Sequence, residues 1–190
     1  MSIGNHANFH AGHRNGLEVD SQCMLNAEHM NPSSVITETK WTAADMGLIE
    51  EIEKAWGWTG IKPSLIVGEN EFGNFIIKDT TGCYWRLCPE ELYCHRVANT
   101  RAELDDLSQS QDFLHDWYMK GLVEMAKARL GLLRPGYKYH LKIPAVLGGG
   151  YEEENLAMIS LAELVNVSGY LAKEIDGLPD GAKVRLQVTE

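Results

Sequence analysis

The stretch from Ser64 to Leu92, SLIVGENEFGNFIIKDTTGCYWRLCPEEL, constrains the fold more than any other part of the chain. Leu65–Val67 and Phe75–Ile77 are short apolar runs of β-forming residues. Asn70 and Gly73 lie between them, and Asp79 to Gly82 is a second turn signal ahead of Cys83–Leu87. Apolar runs this short, bounded by Asn, Asp and Gly, read as strands joined by tight turns. The pattern predicts an antiparallel meander with Cys94–Ala98 as a fourth strand.

The flanking segments read as helices. Thr42-Ala-Ala-Asp45 looks like a helix start, and Ile49, Ile52 and Trp56 then recur at helical spacing before Gly57 and Gly60. Thr100-Arg-Ala-Glu103, Ser108-Gln-Ser-Gln111 and Ser160-Leu-Ala-Glu163 fit the capping box. In that motif a hydroxyl and a side chain three residues on satisfy free amides at a helix start. The middle helix is predicted to present Leu114, Trp117, Tyr118, Gly121, Leu122 and Met125 on one face and to end near Gly131. The last is predicted to bury Leu161, Leu164, Val165, Leu171 and Ile175 and to end near Gly177. Tyr137–Ile143 and the alternating Val184, Leu186 and Val188 read as two further strands. A meander followed by helices favours an α+β fold over alternating βαβ units. The expectation is an antiparallel or mixed sheet begun by an N-terminal meander, with about four helices packed on one face.

Residues 1–40 differ in composition from the remainder of the chain. They are rich in Asn, His, Gly and Ser and show no sustained period, so the segment reads as a disordered or loosely packed tail. Residues 41–190 read as the folded domain. They hold 15 basic and 23 acidic residues, within a whole-chain charge of −10. Such a balance disfavours direct nucleic-acid binding, because phosphate contacts need cations. It suits a basic protein partner, since complementary fields speed encounter. No run reaches the length of a membrane span, no secretory leader is evident at the N-terminus, and four irregularly placed cysteines do not make a disulfide scaffold. The expected location is the cytoplasm.

The motif KIPAVLGGGYEEEN, 142–155, resembles a phosphate-binding loop only in its three glycines. It lacks both common phosphate-loop patterns, and Glu152, Glu153 and Glu154 repel an anion at that place. The reading is an exposed loop able to bind protein, because a tyrosine offers large contact area at low entropy cost. Cys83, Cys88, Cys94 and His95 lack the paired spacing of structural zinc ligands. Metal, cofactor and catalytic triad are therefore not expected. Glu90 and Asp116 stand among apolar residues, where a structural hydrogen bond or ion pair, for instance with Arg86, is the simplest role.

Several stretches together resemble one bacterial family. They are WGWTG (56–60), NEFGNFII (70–77), GCYWRLCPEEL (82–92), FLHDWYM (113–119), KIPAVLGGGYEEEN (142–155), ISLAELVNVSGYLA (159–172) and LPDGAKV (178–184). They look like the C-terminal domain of type VI secretion immunity proteins of the Tdi kind, over roughly Trp41 to Thr189. The resemblance implies a non-catalytic protein that binds and neutralises a DNase toxin delivered between bacteria. Many members carry an N-terminal module related to a glutamate/aspartate-associated domain, and residues 1–40 do not resemble one.

On this reading Tyr151, Glu152, Glu153 and Asn155 of the glycine loop, with Arg86 and Glu90 after the meander, are the expected surface contacts to the toxin. Trp58, Trp85 and Trp117 are expected in the core. Two alternatives carry different signatures: a small-molecule or enzymatic pocket near Arg86, Glu90 and Lys142, or a homodimer built on Trp and Tyr surfaces.

Overall fold

The computed structural model describes residues 43–179 and 181–185, all within one contact unit spanning Pro32–Glu190. The expected tail boundary at residue 40 lies outside the described residues.

The meander forms as the turn chemistry requires. Strands β1 (Pro63–Glu69), β2 (Phe75–Asp79), β3 (Tyr84–Cys88) and β4 (Tyr93–Ala98) pair antiparallel in chain order. In the β1–β2 turn, the Asn70 side-chain oxygen accepts from the amides of Phe72 (2.9 Å) and Asn74 (3.0 Å), with Gly73 at φ 72°. In the β2–β3 turn the Asp79 carboxylate accepts from the Thr81 amide (2.8 Å), the Cys83 amide (3.0 Å) and the Trp85 indole (2.9 Å). Burial alone raises the Asp79 pKa, but these donors and the Thr81 hydroxyl outweigh it and hold the carboxyl below its usual range.

Helices cover both faces of this sheet, not one. Phe75, Ile77, Trp85 and Leu87 point to one side and pack with Ile52 and Trp56 of α1 (Ala43–Trp56) and Val165 of α5 (Leu161–Ile175). The Trp56 indole donates to the Val165 carbonyl at 3.2 Å. Gly169 permits this close approach, because a Cβ there would lie 2.7 Å from the Ala55 carbonyl oxygen. Ile76 and Tyr84 point the other way. They meet Leu104 of α2 (Arg101–Leu107) and Phe113 and Trp117 of α3 (Gln111–Tyr118). The alternation of side chains along a strand produces this division.

Two of the three capping boxes start helices where expected. The Thr100 and Ser160 hydroxyls accept from the Glu103 and Glu163 amides. The third is displaced: Ser110 caps α3, while the Ser108 hydroxyl donates to the Asp105 carbonyl at the end of α2. The expected middle helix is two helices. Met119, at φ 45°, separates α3 from α4 (Lys120–Leu130). The break changes the buried face to Phe113, Trp117, Val123 and Ala126 and leaves Gly121 and Met125 exposed. α5 follows its pattern, ending at Ile175, with Leu164 and Val165 buried and Leu161, Leu171 and Ile175 partly so.

A two-stranded antiparallel ribbon, β5 (Tyr137–Leu141) and β6 (Leu156–Ser160), closes the domain. It joins the meander's first turn through the Tyr139 amide, which donates to the Glu71 carbonyl at 3.0 Å. Phe72, Tyr139, Leu141 and Leu156 form a third core with Val123 and Ala126 of α4. β6 was not foreseen. The strand expected around Val184 is absent from residues 181–185, and Leu186 and Val188 lie outside the described residues. Trp85 and Trp117 are buried as expected, whereas Trp58 is partly exposed and stacks on Trp56.

Candidate functional site: the glycine loop and the polar relay beneath it

The hairpin connection between β5 and β6 is the glycine loop. Asn155 ties it closed. Its side-chain oxygen accepts from the Ile143 amide (2.9 Å), and its amide group donates to the carbonyls of Ile143 (2.9 Å) and Gly150 (2.8 Å). Gly149 sits so close to this knot that a Cβ would lie 1.8 Å from the Ile143 carbonyl oxygen. The Gly148 and Gly149 amides donate inward, to Ala145 at 2.9 Å and Pro144 at 3.1 Å. The amides a phosphate needs are thus engaged within the turn. The glycines serve a tight ring of backbone, not an anion cradle.

This ring presents Tyr151, Glu152, Glu153 and Glu154 to solvent, with Tyr151 43% exposed. The Tyr151 hydroxyl donates to the carboxylate of Glu91 in the β3–β4 turn. Partial burial and that carboxylate push its pKa up, so the hydroxyl stays a donor. Glu153 pairs with Arg129 of α4 at 3.0 Å, and the Lys142 ammonium donates to the Glu154 carbonyl at 2.7 Å.

Three of the six expected surface contacts lie inside. Arg86, Glu90 and Asn155 are only 6–7% exposed. Arg86 projects from β3 toward α3, within 6.0 Å of the Tyr93, Phe113 and Trp117 ring centres, and pairs with the Asp116 carboxylate. Its second terminal nitrogen donates to the Asn74 side-chain oxygen at 3.1 Å. The Asn74 amide in turn lies 2.8 Å from each carboxylate oxygen of Glu90. Burial pushes the Glu90 pKa up, and the Asn74 hydrogen bonds only partly offset this. The Glu90 carbonyl receives the Ala145 amide at 2.8 Å. The buried chain Arg86–Asn74–Glu90 therefore ends on the backbone of the glycine loop, and Glu91 beside it holds Tyr151.

Sequence reasoning noted Arg86, Glu90 and Asp116 but missed Asn74, which connects them. The doubled Asn of NEFGN marked a turn; nothing in it marked the second Asn as a bridge. Arg86, Glu90 and Lys142 do not line one cavity. Glu90 and Lys142 border a hollow of about 70 Å³, and Arg86 faces the other side of the sheet. Ligand pockets usually need several hundred Å³, so this hollow is too small for the small-molecule alternative.

Cys88 and Cys94 are buried free thiols, and burial pushes Cys94 up to about 12. Among the described residues, no group of three or more His, Cys, Asp or Glu could hold a metal ion, and no helix is long and apolar enough to cross a membrane.

In this α+β domain the tyrosine-and-carboxylate loop is braced from below by the Asn155 knot and by the Glu90 carbonyl. Residues 98–172 match the family described as T6SS immunity protein Tdi1, C-terminal. The matched stretch runs from the end of β4 into α5 and contains the whole glycine loop. The resemblance expected over Trp41 to Thr189 is thus matched by the family model over residues 98–172. No curated protein matches the chain. The match supports a role in type VI secretion immunity, which implies binding of a cognate toxin.

Proposed function

We propose that this protein neutralises a nuclease toxin by binding it stoichiometrically, without catalysis, through the face that carries Tyr151, Glu152 and Glu153. The observation that carries the reading is the braced loop: a rigid, acidic, tyrosine-bearing projection within the segment that matches an immunity family. Nuclease faces are basic because they bind polyanions, so an acidic surface competes for the same cations. A loop already held in one conformation loses little entropy on docking. Tyr151 supplies contact area, and the carboxylates supply steering. Arg86, Glu90 and Asn155 contribute by holding the loop rather than by touching the partner.

Co-expression with the toxin encoded beside it tests the reading. The expected result is protection of the host and a one-to-one complex. The absence of both protection and complex formation would remove the proposal.

A further inference from the structure

The motif WGWTG (56–60) takes no part in the glycine loop. Trp56 ends α1 inside the core, and Trp58 and Thr59 belong to the short helical turn that follows. Trp58 stacks on Trp56, with ring centres 6.4 Å apart and planes at 18°, yet it stays 37% exposed. It borders an open hollow of about 540 Å³ between this turn, the start of β4 and the end of α5. That volume falls in the range of ligand sites. Leu92, in the wall beside β4, has φ 53°, a conformation that a bulky side chain rarely takes. Backbone strain of this kind gathers at ligand sites.

The charge of the hollow selects its occupant. Among the described residues that line it, Asp176 alone is charged. Asp176 is exposed and caps the C-terminus of α5, a helix of 15 residues. Helix carbonyls concentrate partial negative charge at that end, so a carboxylate there is unfavourable until a cation joins it. Lys173 and Glu174 in the last turn are both exposed, oppose each other in charge and stand outside the wall. A cation over the Trp58 ring also gains from the negative face of the indole. An anion would meet only like charge. We infer that the hollow is a binding site for an organic cation, a guanidinium or alkylammonium group, held between the Trp58 ring and the Asp176 carboxylate. The group belongs either to a free small molecule or to an arginine or lysine side chain of a partner protein. β4 is a terminal strand of the sheet, so a partner segment laid along its edge would pass the hollow.

The test follows the Trp58 indole N–H of the full chain by NMR, its signal identified by its loss in Trp58→Phe. The probe is N-acetyl-arginine amide, and the control is its uncharged counterpart, N-acetyl-citrulline amide. The expected result is a saturable shift of the Trp58 signal at millimolar arginine probe. Asp176→Asn should weaken that binding about threefold or more, while Glu174→Gln, which removes the same charge outside the wall, should stay within about 1.5-fold of the parent. Citrulline should give no saturable shift. Absence of a saturable shift with the arginine probe, an equal response to citrulline, or equal weakening by D176N and E174Q would overturn the site. The source of the cation is read from the complex with the adjacent gene's toxin, inactivated at its catalytic site. A Kd weakened about threefold or more by D176N assigns the cation to a side chain of the toxin, and an unchanged Kd assigns it to another molecule. If no toxin complex forms, the toxin-binding reading falls and the cation site is judged on the arginine probe alone.

Discussion

Asn74 offers its side-chain amide to both carboxylate oxygens of Glu90, 2.8 Å from each, while its carbonyl oxygen accepts from Arg86. One neutral side chain thus stands between two buried charges of opposite sign. It bonds to both where direct pairing does not occur, although the buried Arg86 Nε is left without a hydrogen-bond partner, and it links the α3 side of the sheet to the glycine loop.

Asn74→Ala leaves Arg86 and Glu90 buried without their shared partner. Losing a hydrogen bond to a buried charged group typically costs about 1.5–3 kcal/mol. Chemical denaturation should show a loss of about 3 kcal/mol, and a loss below about 1 kcal/mol would show that the relay is not a determinant of stability.

Glu90 carries the opposite pH signature from most carboxylates. Its folded pKa is raised, so between the ordinary glutamate range and that raised value the native state holds a proton that the unfolded state has released. Its contribution to stability therefore falls as pH rises through this window. The stability of the parent relative to Glu90→Gln should decline from about pH 4 upward. A difference that stays constant with pH would mean that Glu90 titrates normally.

Asp79 behaves in the usual sense. Its folded pKa is lowered, so its stabilisation is complete above the ordinary aspartate range and is lost as pH falls through the folded value. Asp79→Asn should lower stability at neutral pH by about 1–3 kcal/mol, through weakened bonds to Thr81, Cys83 and Trp85. The deficit should shrink in acid, below about pH 4.

Asn155→Ala removes three hydrogen bonds that close the glycine loop but leaves the sheet cores intact. Hydrogen exchange should accelerate at Ile143, Gly148 and Gly149 about tenfold or more, with little change in β2 and β3. Uniform acceleration across the domain would show instead that the loop and the core open as one unit.

Reversing Glu152, Glu153 and Glu154 to lysine should slow association with the toxin about tenfold or more at low salt, and less at physiological ionic strength. Stopped-flow association across a salt series measures this. An on-rate indifferent to both charge and salt would remove the steering role.

Local chemistry made much of the fold legible in the sequence. Turn residues spaced along Ser64–Leu92 determined the meander, because Asn70, Gly73, Asp79 and Gly82 close hairpins through bonds to near neighbours. The Thr100 and Ser160 caps act over three residues and were equally readable. The family resemblance, too, came from contiguous motifs, and it is matched over 98–172. What only the tertiary structure decided involves residues far apart in the chain. Met119 breaks a helix that its sequence pattern runs straight through, and two buried faces replace the one that periodicity predicts. Arg86, Glu90 and Asn155 are polar and were expected outside. They lie inside because Asp116, Asn74 and the backbone of Ile143 and Gly150 supply most of their hydrogen bonds there, only the Arg86 Nε being left unpartnered. Burial of a polar group depends on whether partners converge on it in space, and periodicity along the chain carries no record of that.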